Sequence, residues 1–112
     1  MPNQQTCMKI IFPDQIFLAS HKFKVIQQPE NDGGSFDYVT NEIKIGTKSL
    51  NNDPNYVWMV INHEIYEAAA ACLNCRYQDR SVDGNYKFFM DHKEFENMVN
   101  IAAHALSFFV TE

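Results

Sequence analysis

The chain lacks most of the features that announce common protein classes. It has only three Cys, an odd number without framework spacing, so a disulfide-stapled scaffold is not expected and reduced thiols are. Four Gly and four Pro leave no composition for long linkers, and no low-complexity segment or repeat is present. No apolar run reaches the roughly 18 residues of a membrane-spanning helix. The opening residues lack the basic start, long apolar centre and cleavage site of a secretory signal, so a cytoplasmic location without membrane association is expected. Basic residues are also scarce, nine against fourteen acidic ones, for a net charge of −5. A nucleic-acid binder would carry a basic patch, so no nucleic-acid partner is expected.

What the chain does hold is core material. Hydrophobic residues make up 46% of its 112 positions, including nine Phe, five Tyr and one Trp. Global disorder is excluded, and the length fits a single domain over 1–112. Polar residues 1–5 are expected as a loose terminus.

Residues 7–12 are a short apolar run stopped by Pro13, either a strand or a helical lead-in. Residues 16–28 alternate most clearly at Lys22-Phe23-Lys24-Val25, a half-buried strand pattern. A turn within 19–22 would make this segment a hairpin. Residues 29–35 (Pro-Glu-Asn-Asp-Gly-Gly-Ser) are a loop. Residues 35–47 predict a second hairpin, turning at Thr40-Asn41, with Ile43 and Ile45 on one face. An exposed edge strand there would accept an extended peptide, which would lie against the strand of Ile43 and Ile45. Asp53 is a good N-cap and Pro54 a good first residue for a helix reaching about Leu73. Residues 74–84 read as a polar loop and 86–90 as a short aromatic segment. Asp91 is placed to cap a second helix from His92 to about Val110, with apolar Phe95, Val99, Ala102, Leu106 and Val110 at helical spacing. Strands grouped ahead of helices give an α+β fold, a small antiparallel-containing sheet of three to four strands followed by two main helices.

The first helix carries the chemistry, in Asn62-His63-Glu64-Ile65-Tyr66-Glu67. At about 100° per residue, Glu67 lies about 40° and Glu64 about 100° from His63, so all three share one arc. Both sides of the helix are otherwise apolar, which makes it a central, buried helix. Burying two carboxylates costs several kcal/mol each unless they are paired, protonated or metal-bound. No Lys or Arg stands within a turn of them on this helix, and a divalent cation would compensate directly. Histidine and carboxylate four residues apart project together and are able to chelate one ion. Glu64 would then stand beside the ion as general acid/base for attack on a carbonyl. A third ligand is needed, from His92, Asp91, Glu94, Glu96 or His104. His92 is favoured, because imidazole completes a two-histidine, one-carboxylate set suited to zinc. Glu96 would either pair with Lys93 or support the site as an outer acceptor. The plainer alternative is a local His63–Glu67 pair with Glu64 turned to solvent.

His63-Glu64-Ile65-Tyr66-Glu67 resembles the helical His-Glu-x-x-His signature of zincin-like metallopeptidases, with Glu in the fifth place. Glu42-Ile43-Lys44-Ile45-Gly46 resembles the short edge strand that precedes the active-site helix in minimal zincins. His92-Lys93-Glu94-Phe95 resembles the downstream histidine region of small phage or prophage members. The likeness covers roughly residues 16–109 and is most specific over 62–67. It implies a zinc-dependent peptidase in the cytoplasm of a bacterium or a phage-infected host. Its metal ligands would be His63, Glu67 and His92, with one zinc ion or another divalent metal. A metal-activated water would attack a peptide carbonyl, with Glu64 as general acid/base and a protein or peptide as substrate. Glu67 departs from the usual second histidine. That departure keeps open a non-catalytic binding or phage accessory protein of the same fold, with or without a structural metal. The oligomeric state is not readable.

The other chemistry-bearing residues have plainer readings. Cys72 and Cys75 form a Cys-x-x-Cys without the second pair of a zinc site, at a helix end where the dipole does not favour a thiolate, so they read as core thiols. Cys7 has no partner nearby in sequence. His21 reads as a surface residue. His104 lies about 120° from His92 around the second helix and reads as a partly exposed residue. Tyr77 and Tyr86 are candidates to donate to a developing oxyanion. Asp79, Asp83 and Asp91 lack the spacing of a calcium loop.

Overall fold

The computed structural model describes residues 9–78 and 86–111. The expected loose terminus, Cys7, Asp79, Asp83 and the side chains of Tyr77 and Tyr86 lie outside the described residues. The fold is α+β, with a mixed four-stranded sheet and two helices.

The alternating segment splits into two strands, β2 (Gln15–Leu18) and β3 (His21–Gln28), that pair antiparallel. Between them Ala19 takes a positive φ of 57°, so the turn alternative is the one adopted. Ile16, Leu18, Phe23 and Val25 face inward from these strands. The second predicted hairpin is present as β4 (Gly34–Asp37) and β5 (Glu42–Gly46). Asp37 closes its turn by accepting hydrogen bonds from the Val39 and Thr40 amides at 2.8 and 3.2 Å. Those two bonds hold the Asp37 carboxyl below its ordinary range.

The strand order is β2-β3-β5-β4, with β5 parallel to β3 and antiparallel to β4. This corrects the expectation of an edge strand at 42–46. The strand of Ile43 and Ile45 is hydrogen-bonded on both sides, and both isoleucines are fully buried. The free edge beside the first helix is β4. The reason lies in the preceding loop, which carries β4 outside β5 and then packs back on it. Gly46 donates to the Gly33 carbonyl at 2.6 Å. A Cβ at Gly46 would stand 2.4 Å from the Asn31 carbonyl oxygen, so a side chain there would force the loop away.

Helix α1 (Pro54–Cys72) follows the sequence closely. Asp53 caps it by accepting from the Tyr56 amide at 3.2 Å. Val57, Ile61, Ile65, Ala68 and Ala69 are buried, in one core with Phe23, Ile43 and Ile45. The helix ends in a Schellman motif. Asn74 (φ 59°) donates to the Ala71 carbonyl and Cys75 to the Ala70 carbonyl, at 3.0 and 2.9 Å.

After this reversal, β6 (Arg76–Gln78), inside what the sequence suggests is a polar loop, pairs antiparallel with β7 (Tyr86–Phe88), in the short aromatic segment. Helix α2 (His92–Leu106) opens with a reciprocal capping box between Asp91 and Glu94. Its Met98, Ala102 and Ala105 are buried against α1, whose run of four alanines, Ala68 to Ala71, lets the helices approach closely.

The second helix stops at Leu106 rather than Val110. A single 3-10 turn (Ser107–Phe109) follows, then β8 (Val110–Thr111), which pairs with β1 (Lys9–Ile10). Phe109 is fully buried and meets Phe12 edge to face at 6.2 Å. Burial of this ring and the β1–β8 ladder override the apolar periodicity that would have extended the helix. Among the described residues no helix is long and apolar enough to cross a membrane.

Gly34 is where β4 crosses α1. A Cβ there would stand 2.9 Å from both the Lys44 carbonyl oxygen and Val60 Cγ1, and 3.0 Å from Glu64 Cγ. Gly34→Ala is therefore expected to destabilise the protein by about 1–3 kcal/mol, the usual cost of overpacking. Urea denaturation monitored by Trp58 fluorescence measures it, and an unchanged midpoint would contradict the close crossing.

Candidate functional site

The middle of α1 brings the three polar residues of its motif together. His63 Nε2 lies 3.2 Å from Glu67 Oε2 and 3.9 Å from Glu64 Oε2. Exposure falls steeply across the cluster, from 68% for the His63 side chain to 17% for Glu67 and 9% for Glu64. The plainer sequence alternative is thus half met: the His63–Glu67 pair forms, but Glu64 turns inward beneath Gly34 instead of to solvent.

Burial raises the Glu64 carboxyl above its ordinary range, against the lowering effect of His63. The nearby Glu67 carboxylate raises it further, and Arg76 pulls it back down.

Arg76 is the member that the sequence reading did not find. No cation stands near the acids on α1 itself. However, the Schellman reversal sends β6 back past the helix, and Arg76 Nε reaches Glu67 Oε1 at 2.8 Å. The guanidinium carbon also lies 5.2 Å from the centre of the Phe36 ring on β4. The available signal was an Arg just past a helix end, where an Asn can take the left-handed conformation that folds the chain back.

Beside the cluster opens an apolar cavity of about 350 Å³, with His63 and Glu67 on its wall. Tyr66 and Ala70 line it from α1, and Phe88, Met90, Phe95 and Met98 line it from the opposite side. Phe88 and Phe95 remain half exposed there.

The candidate third ligands are otherwise engaged. His92 Nδ1 pairs with Glu96 Oε1 at 2.9 Å, and the ring is 85% exposed. Asp91 accepts from the Glu94 amide at 2.8 Å. Glu94 Oε1 accepts from the Asp91 amide, and its Oε2 accepts from Cys75 Sγ. His104 packs edge to face on Phe108. Among the described residues, no group of three His, Cys, Asp or Glu side chains converges as a metal-holding set.

The chemistry of the donors bears on whether the zinc ion implied by the motif fits. Two ligands about 2.0–2.1 Å from a tetrahedral zinc stand about 3.3 Å apart. The 3.2 Å between His63 Nε2 and Glu67 Oε2 is close to that edge and is equally the length of the direct pair these two side chains make. His92, the favoured third ligand, is paired with Glu96 and is not among the residues that line the cavity. Comparison with family models, curated proteins and solved structures finds no match.

The Cys-x-x-Cys is built as core. Cys72 is partly buried and Cys75 fully so. Burial pushes the Cys72 thiol up to about 11. Burial and the Glu94 carboxylate raise Cys75 as well. At pH 7.5 both thiols are expected to alkylate with iodoacetamide at least about tenfold more slowly than in urea, because the thiolate is the nucleophile. Peptide mapping by mass spectrometry measures this, and fast native labelling of either would refute it.

Glu64 yields a pH prediction. Its folded carboxyl is raised above the unfolded value, so its contribution to stability is present at low pH and lost as pH rises through the folded value. In metal-free protein, Glu64→Gln should therefore raise Tm at pH 7, with the gain fading towards pH 4. A Tm lowered at pH 7 would show that the carboxylate is compensated in place.

Proposed function

We propose that this chain is a zinc-dependent peptide hydrolase. His63 and Glu67 hold the ion, His92 is the third ligand, and Glu64 is the general acid/base. The observation that carries this reading is the gathering of two carboxylates around one imidazole nitrogen, with His63 and Glu67 on the wall of an apolar cavity.

When bound, zinc supplies Lewis-acid polarisation of a carbonyl and a water acidic enough to attack near neutral pH. The protein's own residues do the rest. Glu64, next to His63 on the helix, takes up a proton and returns it to the leaving amine. The free edge of β4 passes over Glu64 and offers main-chain hydrogen bonds to an extended peptide. The cavity lined by Tyr66, Phe88, Met90, Phe95 and Met98 receives an apolar side chain of that peptide. His92 opens the helix that supplies Phe95 and Met98, one turn before Phe95 on the same side. The proposed location is the cytoplasm of a bacterium or a phage-infected host, where Cys72 and Cys75 stay reduced.

A second reading has its own support. Arg76 already pairs with Glu67, so this carboxylate is compensated without a metal ion. A non-catalytic binding or phage accessory protein with the same arrangement would satisfy that observation.

Metal content of tag-free protein, measured by mass spectrometry, separates the two. About one zinc per chain is expected in the wild type, with loss in His63→Ala and His92→Ala. A wild type still empty after zinc titration would overturn the hydrolase. Glu64→Gln should keep its zinc and lose peptide hydrolysis by about 100-fold or more. A zinc-loaded wild type that cleaves no member of a peptide library would favour the binding protein.

A further inference from the structure

Glu67 divides its carboxylate between two partners. Oε1 accepts from Arg76 Nε at 2.8 Å, and Oε2 faces His63 Nε2 at 3.2 Å. We infer that Arg76 is a positioning residue for metal binding, holding one oxygen of Glu67 so that the other stays turned to His63. The inference rests on the metal reading above.

A glutamate on a helix has several rotatable bonds, and a free carboxylate would lose that freedom each time it bound an ion. Arg76 removes much of this cost beforehand. Its bond to Oε1 is short and charge-assisted, the stronger kind of hydrogen bond. It is made by the inner Nε–H, whose direction is set by the plane of the guanidinium.

Arg76 is itself held. Its side chain is 16% exposed and its guanidinium lies over the Phe36 ring. Its backbone is fixed on one side by the Schellman turn at Asn74 and on the other by pairing of Arg76 with Phe88. One guanidinium thus connects the edge strand β4, the ribbon strand β6 and the carboxylate on α1. Outer-shell partners of this kind commonly change metal affinity by 10–100-fold.

The guanidinium also carries a positive charge, which by itself opposes a dication. Positioning and repulsion therefore predict opposite signs, and zinc affinity at a fixed pH of 7.5 decides between them. The proteins compared are the wild type, Arg76→Gln, Arg76→Lys and Phe36→Leu, titrated with zinc against a chromophoric chelator. Visible spectra of the cobalt-loaded forms report the coordination directly.

Arg76→Gln is expected to weaken zinc binding by about 10–100-fold and to alter the cobalt spectrum. Arg76→Lys should not restore it, because Lys keeps the charge without the planar Nε–H. Phe36→Leu should weaken binding in the same direction, by less. Tighter binding in Arg76→Gln, or full recovery in Arg76→Lys, would overturn the assignment. So would a lowered Tm with unchanged affinity and spectrum. If the wild type binds zinc and no variant differs from it, positioning by Arg76 fails alone. If the wild type takes up neither zinc nor cobalt, the metal reading fails and this inference with it.

Discussion

Two carboxylates on one apolar helix are the constraint around which this small protein is arranged. Glu64 and Glu67 lie on α1, which otherwise buries Val57, Ile61, Ile65 and a run of alanines. Acids in such a setting must be compensated, because desolvation of each costs several kcal/mol. The compensation comes from both directions along the chain. His63 reaches Glu67 from one helical turn before it, and Arg76 reaches it from beyond the helix end. Glu64 has the weaker arrangement, with its imidazole neighbour at 3.9 Å, and burial raises its carboxyl.

The scaffold makes this arrangement possible by controlled close approach. Gly34 lets β4 cross directly over Glu64, shielding it from water. The alanines of α1 let α2 pack closely, and the first turns of α2 supply Phe95 and Met98 to the far wall of the cavity. The β6–β7 ribbon joins the helices and delivers both Arg76 to the acids and Phe88 to the cavity. The site is thus assembled from one helix, one sheet edge and one ribbon, each brought near by small residues or a tight turn.

Local chemistry made much of this readable in advance. The α1 boundaries follow from Asp53 and Pro54, and the α2 start follows from Asp91 and Glu94, because caps act over three or four residues. The His63–Glu67 pair follows from helical periodicity alone. Apolar spacing carries the second helix on to Val110, whereas the backbone of Val110 pairs with Ile10, a hundred residues earlier in the chain. The identity of the edge strand is likewise set by distant pairing. Alternation at Ile43 and Ile45 shows a half-buried strand but does not say which strands flank it.

The sequence by itself determined the α+β class, the helix starts, and the placing of His63, Glu64 and Glu67 on one arc, since each depends on residues a few positions apart. Only the tertiary structure decided that β4 rather than β5 is the free edge, that Glu64 turns inward, that His92 pairs with Glu96, and that Arg76 holds Glu67. Those outcomes depend on how the sheet orders its strands and how the chain reverses after α1. Periodicity fixes which face of an element is apolar, but not which distant element covers that face.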